Sequence, residues 1–276
     1  MKKYKQTVSV VIPIYNDQEV IAELYRRLHP VMEEITADYE VILVDDGSRD
    51  ASWEEMLKVR QQDEHIKAVR LSRNFGQQSA IAAGLSLTSK ELIVLMDSDL
   101  QDRPEDIPVL IDALLSDERA AMAIAQWEER KDSKLKIAVS RLFQRVSNHI
   151  TEIHTMPRLG IFRVMKQSVV EELRKFPEKT ATTVSLLYYS GSRYVAVPLK
   201  RDARFAGKSG YNLNKMLALT FARIFSFSMF PIRLVTYLGA LLCIGSMIAA
   251  LTLIIYKLVG NVVAGWTSMM VLMLFL

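Results

Sequence analysis

Cysteine is almost absent from this chain of 276 residues, with Cys243 its single representative. One cysteine excludes an intramolecular disulfide and a thiolate metal cluster. An excess of either charge is also lacking, because 35 Lys and Arg face 31 Asp and Glu, a net charge of +4. This mild charge gives no support for a nucleic-acid partner. With 50% hydrophobic residues the chain is expected to fold.

Two common phosphate-binding signatures are missing. No GxGxxG follows a strand-like run, and there is no GxxxxGK[ST], which argues against dinucleotide and P-loop sites. A secretory signal is also missing, because the basic start leads directly into a short strand-like run. We therefore expect the large N-terminal part to face the cytoplasm.

Charge is missing from residues 234–256, which as a helix would be about 35 Å long, enough to cross a bilayer. Arg223 and Arg233 precede this run, and their charge predicts that its N-terminal side is cytoplasmic. A second apolar run, 262–276, would reach only about 22 Å, so we expect a second spanning helix that is cut short. The alternative is a pair of buried core helices.

Upstream of the tail, strand-like and helix-like patterns alternate. Apolar, β-branched runs occupy residues 8–14, 39–45, 67–72 and 91–97, and helical patterns separate them. This alternation predicts an α/β fold, a mainly parallel sheet flanked by helices. Ligands of such sheets bind at the carboxyl ends of the strands.

Polar residues follow each of these four runs, three of them including carboxylates. Asp97 and Asp99 are two apart, so in an extended segment both side chains would point to one side, with Gln101 continuing that face. Two such carboxylates repel each other unless a cation lies between them. Oxygen ligands suit Mg²⁺ or Mn²⁺ shared with substrate phosphates. The pattern predicts a metal site that stabilises a nucleoside diphosphate leaving group.

Four motifs in this order, VVIPIYND, VDDGSRD, LSRNFGQ and MDSDLQDRPE, resemble the signatures of family 2 glycosyltransferases with the GT-A fold. Membrane polyprenyl-phosphate glycosyltransferases are the most similar group, and the likeness covers essentially the whole chain. It implies a metal-dependent hexosyltransferase of the cell envelope with a Rossmann-like sheet followed by transmembrane helices. The expected organisation is a cytoplasmic GT-A domain over 1–210, an amphipathic juxtamembrane segment over 211–232 and a transmembrane region over 233–276.

The resemblance also implies roles for individual residues. Those expected to bind the nucleotide sugar are Pro13, Tyr15, Asp17, Asp46, Gly76, Asp97, Ser98, Arg201, Arg204 and Lys208. Those expected to hold the metal are Asp97, Asp99 and Gln101, and those expected to act in catalysis are Asp97, Asp99, Arg163 and Arg204. The basic side chains of Arg201, Arg204 and Lys208 can pair with phosphate oxygens. Alternatively, they simply lie at the positively charged cytoplasmic face of the membrane.

One position departs from the family pattern. Many bactoprenol glucosyltransferases have Gly-Asp-Phe-Arg where this chain has Gly160-Ile161-Phe162-Arg163, so the proposed base is absent. Either no base is needed, because a lipid phosphate is already ionised near neutral pH, or the activity or acceptor differs. We favour the first interpretation.

The resemblance implies transfer of one sugar, with inversion, from a nucleoside diphosphate sugar to a polyprenyl phosphate such as undecaprenyl phosphate. UDP is favoured over GDP, the enzyme would be a multi-pass protein of the cytoplasmic membrane, and a homo-oligomer is compatible with the family. The alternatives are another lipid or glycan acceptor, and a non-catalytic scaffold that binds the donor.

Overall fold

The computed structural model describes residues 3–127, 159–175, 191–202, 230–259 and 269. The chain divides into two compact units, Met1–Ser226 and Phe227–Leu276. Most of the predicted juxtamembrane segment and nearly all of the second apolar run lie outside the described residues.

Seven strands form one sheet in the first unit. They are β1 (Val8–Ile14), β2 (Tyr39–Asp45), β3 (Ile66–Arg70), β4 (Leu92–Leu95), β5 (Met122–Trp127), β6 (Leu159–Lys166) and β7 (Tyr194–Leu199). β1 and β2 are buried along their whole length. Mainly apolar strands that are buried throughout are typical of parallel strands covered on both faces.

The strand order is β3-β2-β1-β4-β6-β5-β7. β1 pairs in parallel with β2 and β4, and β2 pairs in parallel with β3. β6 runs antiparallel to both β4 and β5, whereas β5 and β7 are parallel. The sheet is therefore mixed: the predicted parallel arrangement holds for the first four strands, and β6 is the exception.

Helices cover both faces of this sheet. They are α1 (Ile21–Ile35), α2 (Ser52–Gln62), α3 (Gln77–Ser86), α4 (Ile107–Ser116) and α5 (Gln167–Arg174). Val10 and Ile12 point into one hydrophobic cluster with Leu24 of α1, and Val11 points into the other with Ile81 of α3. The alternation along β1 follows from the two-residue period of a strand, and it places the core on both sides of the sheet.

The second unit contains α6 (Phe230–Leu258). Its stretch Val235–Tyr256 has a mean hydropathy of 2.5, and only 6% of the most apolar part of this stretch is buried. By length and composition this is one helix that could cross a membrane.

Candidate active site

The turns that follow β1, β2, β3 and β4 meet at one edge of the sheet, as the parallel pairing requires. The first two turns are joined at Asn16, whose backbone N–H donates to Ser48 Oγ at 3.0 Å. The Asn16 side chain in turn accepts from the backbone N–H of Arg49 at 2.9 Å. Asn16 has a φ of +54°, a conformation that asparagine tolerates better than most residues.

The second and third turns are joined by Asp46, which is 2% exposed. Its two carboxylate oxygens accept the backbone N–H groups of Phe75 and Gly76 at 2.8 and 2.9 Å. Gly47 has a φ of +68°, and a Cβ there would lie 2.5 Å from the carbonyl carbon of Arg73. Only glycine fits this approach of two backbones.

The fourth turn closes the set, because it contacts both the first and the third. Ser98 Oγ donates to Asp17 Oδ2 at 2.6 Å. Gln77 Nε2 donates to Asp97 Oδ1 at 2.7 Å. Side-chain and backbone hydrogen bonds thus connect all four turns, and they bring Asp17, Asp46, Gly76, Asp97 and Ser98 to one place.

The prediction that residues 97–101 continue in an extended conformation was wrong. β4 ends at Leu95, and Ser98 and Asp99 lie in a turn. Asp99 Oδ1 accepts the backbone N–H of Gln101 at 3.1 Å, and Leu100 has a φ of +57°. A carboxylate that bonds to the backbone two residues on competes with strand pairing. The alternation argument for a common side therefore does not apply, although the residues stay close in one short loop.

Arg201 faces this acidic loop from the segment after β7. Its Nη2 lies 3.7 Å from Asp97 Oδ2 and its Nε lies 3.2 Å from Asp102 Oδ1. Asp102 is 1% exposed, and burial raises the pKa of its carboxyl to about 6 although the Arg201 guanidinium opposes that shift. The loop therefore concentrates negative charge where a cation is favoured.

Other predicted site residues lie elsewhere or outside the described part. Pro13 is buried in β1 opposite Val44, and Tyr15 is exposed at the start of the first turn. Arg163 is fully buried in β6, where its Nε and Nη2 donate to the carbonyls of Ile161 and Gly160 at 2.8 and 2.7 Å. Arg204 and Lys208 lie outside the described residues.

Sequence reasoning missed three residues that the structure places at this edge, Gln77, Asp102 and Trp127. Asp102 belongs to a recognised motif, so its place in the acidic loop could have been found. Gln77 opens the helix after Gly76 and is adjacent to a predicted site residue. Trp127 carries no sequence signal, because its place beside Arg201 depends on the pairing of β5 with β7.

Comparison with known proteins decides the family. The model of glycosyl transferase family 2 matches residues 9–174. The chain belongs to glycosyltransferase family 2. Among its relatives is the bactoprenol glucosyl transferase of Shigella phage SfX, 32% identical over 98% of this chain and 88% of the relative. Another is the undecaprenyl-phosphate 4-deoxy-4-formamido-L-arabinose transferase of Salmonella choleraesuis, 32% identical over 97% of this chain and 81% of the relative.

A solved structure shares the fold of this glycosyltransferase. Glucosyl-3-phosphoglycerate synthase from Mycobacterium tuberculosis, in complex with Mn²⁺, UDP and its product, superposes with a TM-score of 0.59. The two are 18% identical, and the match covers 81% of this chain and 80% of that one. The mixed sheet with helices on both faces is therefore GT-A-like.

The donor set of this glycosyltransferase fits a hard divalent cation. Asp97, Asp99 and Gln101 offer oxygen atoms, which are the ligands that Mg²⁺ and Mn²⁺ prefer. No group of three or more His, Cys, Asp or Glu side chains placed to hold a metal occurs in the part of the chain that the structure describes. Two carboxylates alone suit a metal that is shared with substrate phosphates and water rather than caged by protein.

Proposed function

We propose that this glycosyltransferase transfers one sugar from a UDP-sugar to a polyprenyl phosphate at the cytoplasmic face of the membrane. The observation that carries the proposal is the acidic loop of Asp97 and Asp99 facing Arg201, at the edge where four turns converge. The named activities of the phage and Salmonella relatives support a polyprenyl phosphate acceptor. The UDP and Mn²⁺ of the mycobacterial structure support the donor and the metal.

The nucleotide would lie across the turns after β1 and β2, near Tyr15, Asp17 and Asp46. Asp17 and Asp46 are already oriented by hydrogen bonds, so this part of the site is ordered before the ligand binds. A preorganised polar site loses less free energy on binding than one that must be ordered by the ligand.

The diphosphate would lie at the loop of Asp97, Asp99 and Gln101. These residues would hold Mg²⁺ or Mn²⁺, which when bound neutralises charge that develops on the departing diphosphate. Arg201 faces the same loop and, with Arg204 and Lys208 further along the chain, would pair with phosphate oxygens.

The reaction forms one bond and breaks one. An oxygen of the acceptor phosphate attacks the anomeric carbon from the side opposite the diphosphate, so the configuration inverts as the bond from that carbon to the diphosphate oxygen breaks. No proton has to be removed, because the acceptor phosphate is ionised near neutral pH. The enzyme then contributes by orienting the acceptor phosphate towards the sugar and by compensating the charge of the phosphates.

The side chain of Ile161 agrees with this description. It packs against the hydrophobic cluster that contains Leu95 and Ile124. A chain that needed a base there would not have an apolar side chain against the core. The same observation also suits a different lipid or glycan acceptor, and it favours a non-catalytic scaffold as well. Assays with and without the lipid distinguish these alternatives.

We further propose that α6 and the second apolar run anchor a multi-pass protein, with 1–210 as the cytoplasmic domain and 211–232 as the juxtamembrane segment. The apolar stretch Val235–Tyr256 and the basic residues before it support this arrangement.

The experiment is release of the nucleotide from UDP- and GDP-sugars by detergent-purified protein, with and without undecaprenyl phosphate. We expect release that needs the lipid and stops in EDTA. Release that needs only water or a soluble glycan would contradict the proposed acceptor.

A further inference from the structure

Trp127, the last residue of β5, contacts Arg201 through its ring. The guanidinium carbon of Arg201 lies 5.0 Å from the centre of the ring. Trp127 pairs with Leu199 of β7, two residues before Arg201, so the two strands bring ring and guanidinium together. An arginine over a tryptophan face is attracted by the electron density of the ring.

The indole of Trp127 also lies against the backbone of β6 at Gly160. A Cβ at Gly160 would lie 2.5 Å from Nε1 of the indole, so a side chain there requires the ring to move. The carbonyl of Gly160 is held by the buried Arg163, whose Nη2 donates to it at 2.7 Å. The ring is therefore held against a backbone segment that is itself fixed by a buried side chain.

The backbone that carries Arg201 is tied to the acidic loop. The backbone N–H of Asp202 donates to the carbonyl of Gln101 at 3.2 Å, and Gln101 Nε2 donates to the carbonyl of Asp202 at 3.4 Å. With this backbone held, the direction of the Arg201 side chain depends on what its guanidinium touches. Those contacts are the Trp127 ring, the buried Asp102 and Asp97.

We infer that Trp127 is a positioning residue for Arg201, holding the guanidinium beside the acidic loop so that it meets the donor diphosphate. This inference rests on the proposed function. Arginine has five N–H donors in a rigid fork, and the ring contact uses none of them. Stacking therefore fixes the plane of the guanidinium while its donors stay directed at oxygen atoms. Without the ring, the contacts with Asp102 and Asp97 still attract the guanidinium, but its plane is less restricted. Part of the free energy of the diphosphate contact is then spent on orienting it.

The first test measures the stacking itself, without a donor. The sequence has three tryptophans, so replacing Trp53 and Trp266 by Phe leaves Trp127 as the sole tryptophan of the full chain, and excitation beyond the tyrosine absorption band selects its emission. In that background Arg201→Gln should change the intensity or wavelength of the Trp127 emission. Emission that Arg201→Gln leaves unchanged would overturn the inference.

The second test measures UDP affinity in Mn²⁺, by titration calorimetry on the full chain. Trp127→Leu should weaken UDP binding about five- to thirty-fold, the range expected for loss of a partly desolvated cation–π contact. Trp127→Phe should recover most of that loss, because it keeps an aromatic face. Gly160→Ala should weaken binding as well, because its Cβ displaces the indole.

A double-mutant cycle separates positioning from general damage. If Trp127 acts through Arg201, Trp127→Leu should have little further effect in the Arg201→Gln variant. Fully additive losses would overturn the inference. The matched control is Tyr4→Leu, which removes a ring 5.0 Å from the amino nitrogen of Lys3, in the segment before β1. That variant should bind UDP as the unaltered chain does, even if its thermal unfolding midpoint falls.

The two proposals fail in different ways. An unaltered protein that binds no UDP in Mn²⁺ would overturn the proposed function, whatever the Trp127 emission shows. An unaltered protein that binds UDP, combined with a Trp127→Leu variant that binds equally well, would overturn the positioning role alone.

Discussion

Oδ2 of Asp46 lies 2.9 Å from the backbone nitrogen of Gly76, so the turn after β2 holds the turn after β3. Oδ1 of the same carboxylate accepts the neighbouring N–H of Phe75 at 2.8 Å. The resemblance to known transferases implies that Asp46 binds the nucleotide. The structure adds that this side chain holds two of the turns at the candidate site together.

Asp46→Ala should therefore reduce stability as well as nucleotide binding. It leaves two backbone N–H groups without their acceptor, and we expect a loss of about 2 kcal/mol in the free energy of unfolding. Asp46→Asn keeps one acceptor oxygen and should lose less. Urea denaturation of the three proteins measures this. Asp38→Ala is the control, because it removes an exposed carboxylate paired with Lys90 and should cost less than about 1 kcal/mol. Equal losses for Asp46→Ala and Asp38→Ala would contradict the account.

Gly47 is predicted to be the less replaceable of two glycines with similar backbone angles. Gly47 and Gly191 have φ of +68° and +69°, but a Cβ at Gly47 would meet the backbone of Arg73 and Asn74, whereas at Gly191 no atom of the described residues lies within 4 Å. Gly191→Ala should lower the free energy of unfolding by about 1 kcal/mol through backbone strain. Gly47→Ala should lower it clearly more. The comparison uses thermal or urea unfolding, and similar losses would show that the two turns do not need this close approach.

The stability of the first unit should depend on pH through Glu40, at the edge of the sheet opposite the site. Glu40 is 3% exposed, pairs with Lys67 and accepts from the hydroxyl of Ser9 and from Ser89. Burial alone would raise the pKa of Glu40, but these partners together outweigh burial and lower it. The carboxylate therefore contributes stability above the ordinary glutamate pKa of about 4.3, and that contribution is lost as pH falls through the lower folded-state pKa.

Glu40→Gln should lower the free energy of unfolding by about 2 kcal/mol at pH 7. It should also flatten the fall in stability between about pH 5 and pH 3. Glu172→Gln, which changes an exposed pair with Lys175, is the control and should do neither. Urea unfolding midpoints across this pH range test the direction of the pH dependence. A Glu40→Gln variant whose stability has the same pH profile as the unaltered protein would refute the role of Glu40.

Asp99→Asn should separate metal binding from folding. Asparagine keeps an oxygen that can accept the N–H of Gln101, as Asp99 does at 3.1 Å, but it removes the negative charge. UDP binding in Mn²⁺ should weaken at least about tenfold, whereas binding in EDTA should change little. Asp117→Asn, which changes a partly exposed pair with Arg193, provides the control. Equal Mn²⁺ dependence in the Asp99 variant and the unaltered protein would remove Asp99 from the proposed metal site.

The first half of the sheet could be predicted closely from the sequence. The bounds of β1 and β2 agree with the predicted runs because these strands are mainly apolar and are buried along their whole length. The observed bounds of β3 and β4 differ from the predicted runs by a few residues at their ends. Parallel pairing then places the four polar turns at one edge, which is why Asp17, Asp46 and Asp97 could be predicted to lie close together.

The second half of the sheet could not be read in the same way. β6 inserts antiparallel between β4 and β5, and this pairing joins segments that are far apart in the chain. Local periodicity carries no information about such partners. The contact between Trp127 and Arg201 depends on that arrangement. The turn at Ser98 and Asp99 was missed for a different reason, because β4 ends at Leu95 and Asp99 bonds to the backbone of its own loop at Gln101.

The central claim is lipid-dependent sugar transfer, and nucleotide release measures it most directly. Detergent-purified protein is given each of a panel of UDP- and GDP-sugars with Mn²⁺ or Mg²⁺, with and without undecaprenyl phosphate, and then EDTA. The account predicts release from a UDP-sugar that requires the lipid and stops in EDTA. Release from no donor under any of these conditions, by a protein that still unfolds cooperatively, would contradict it.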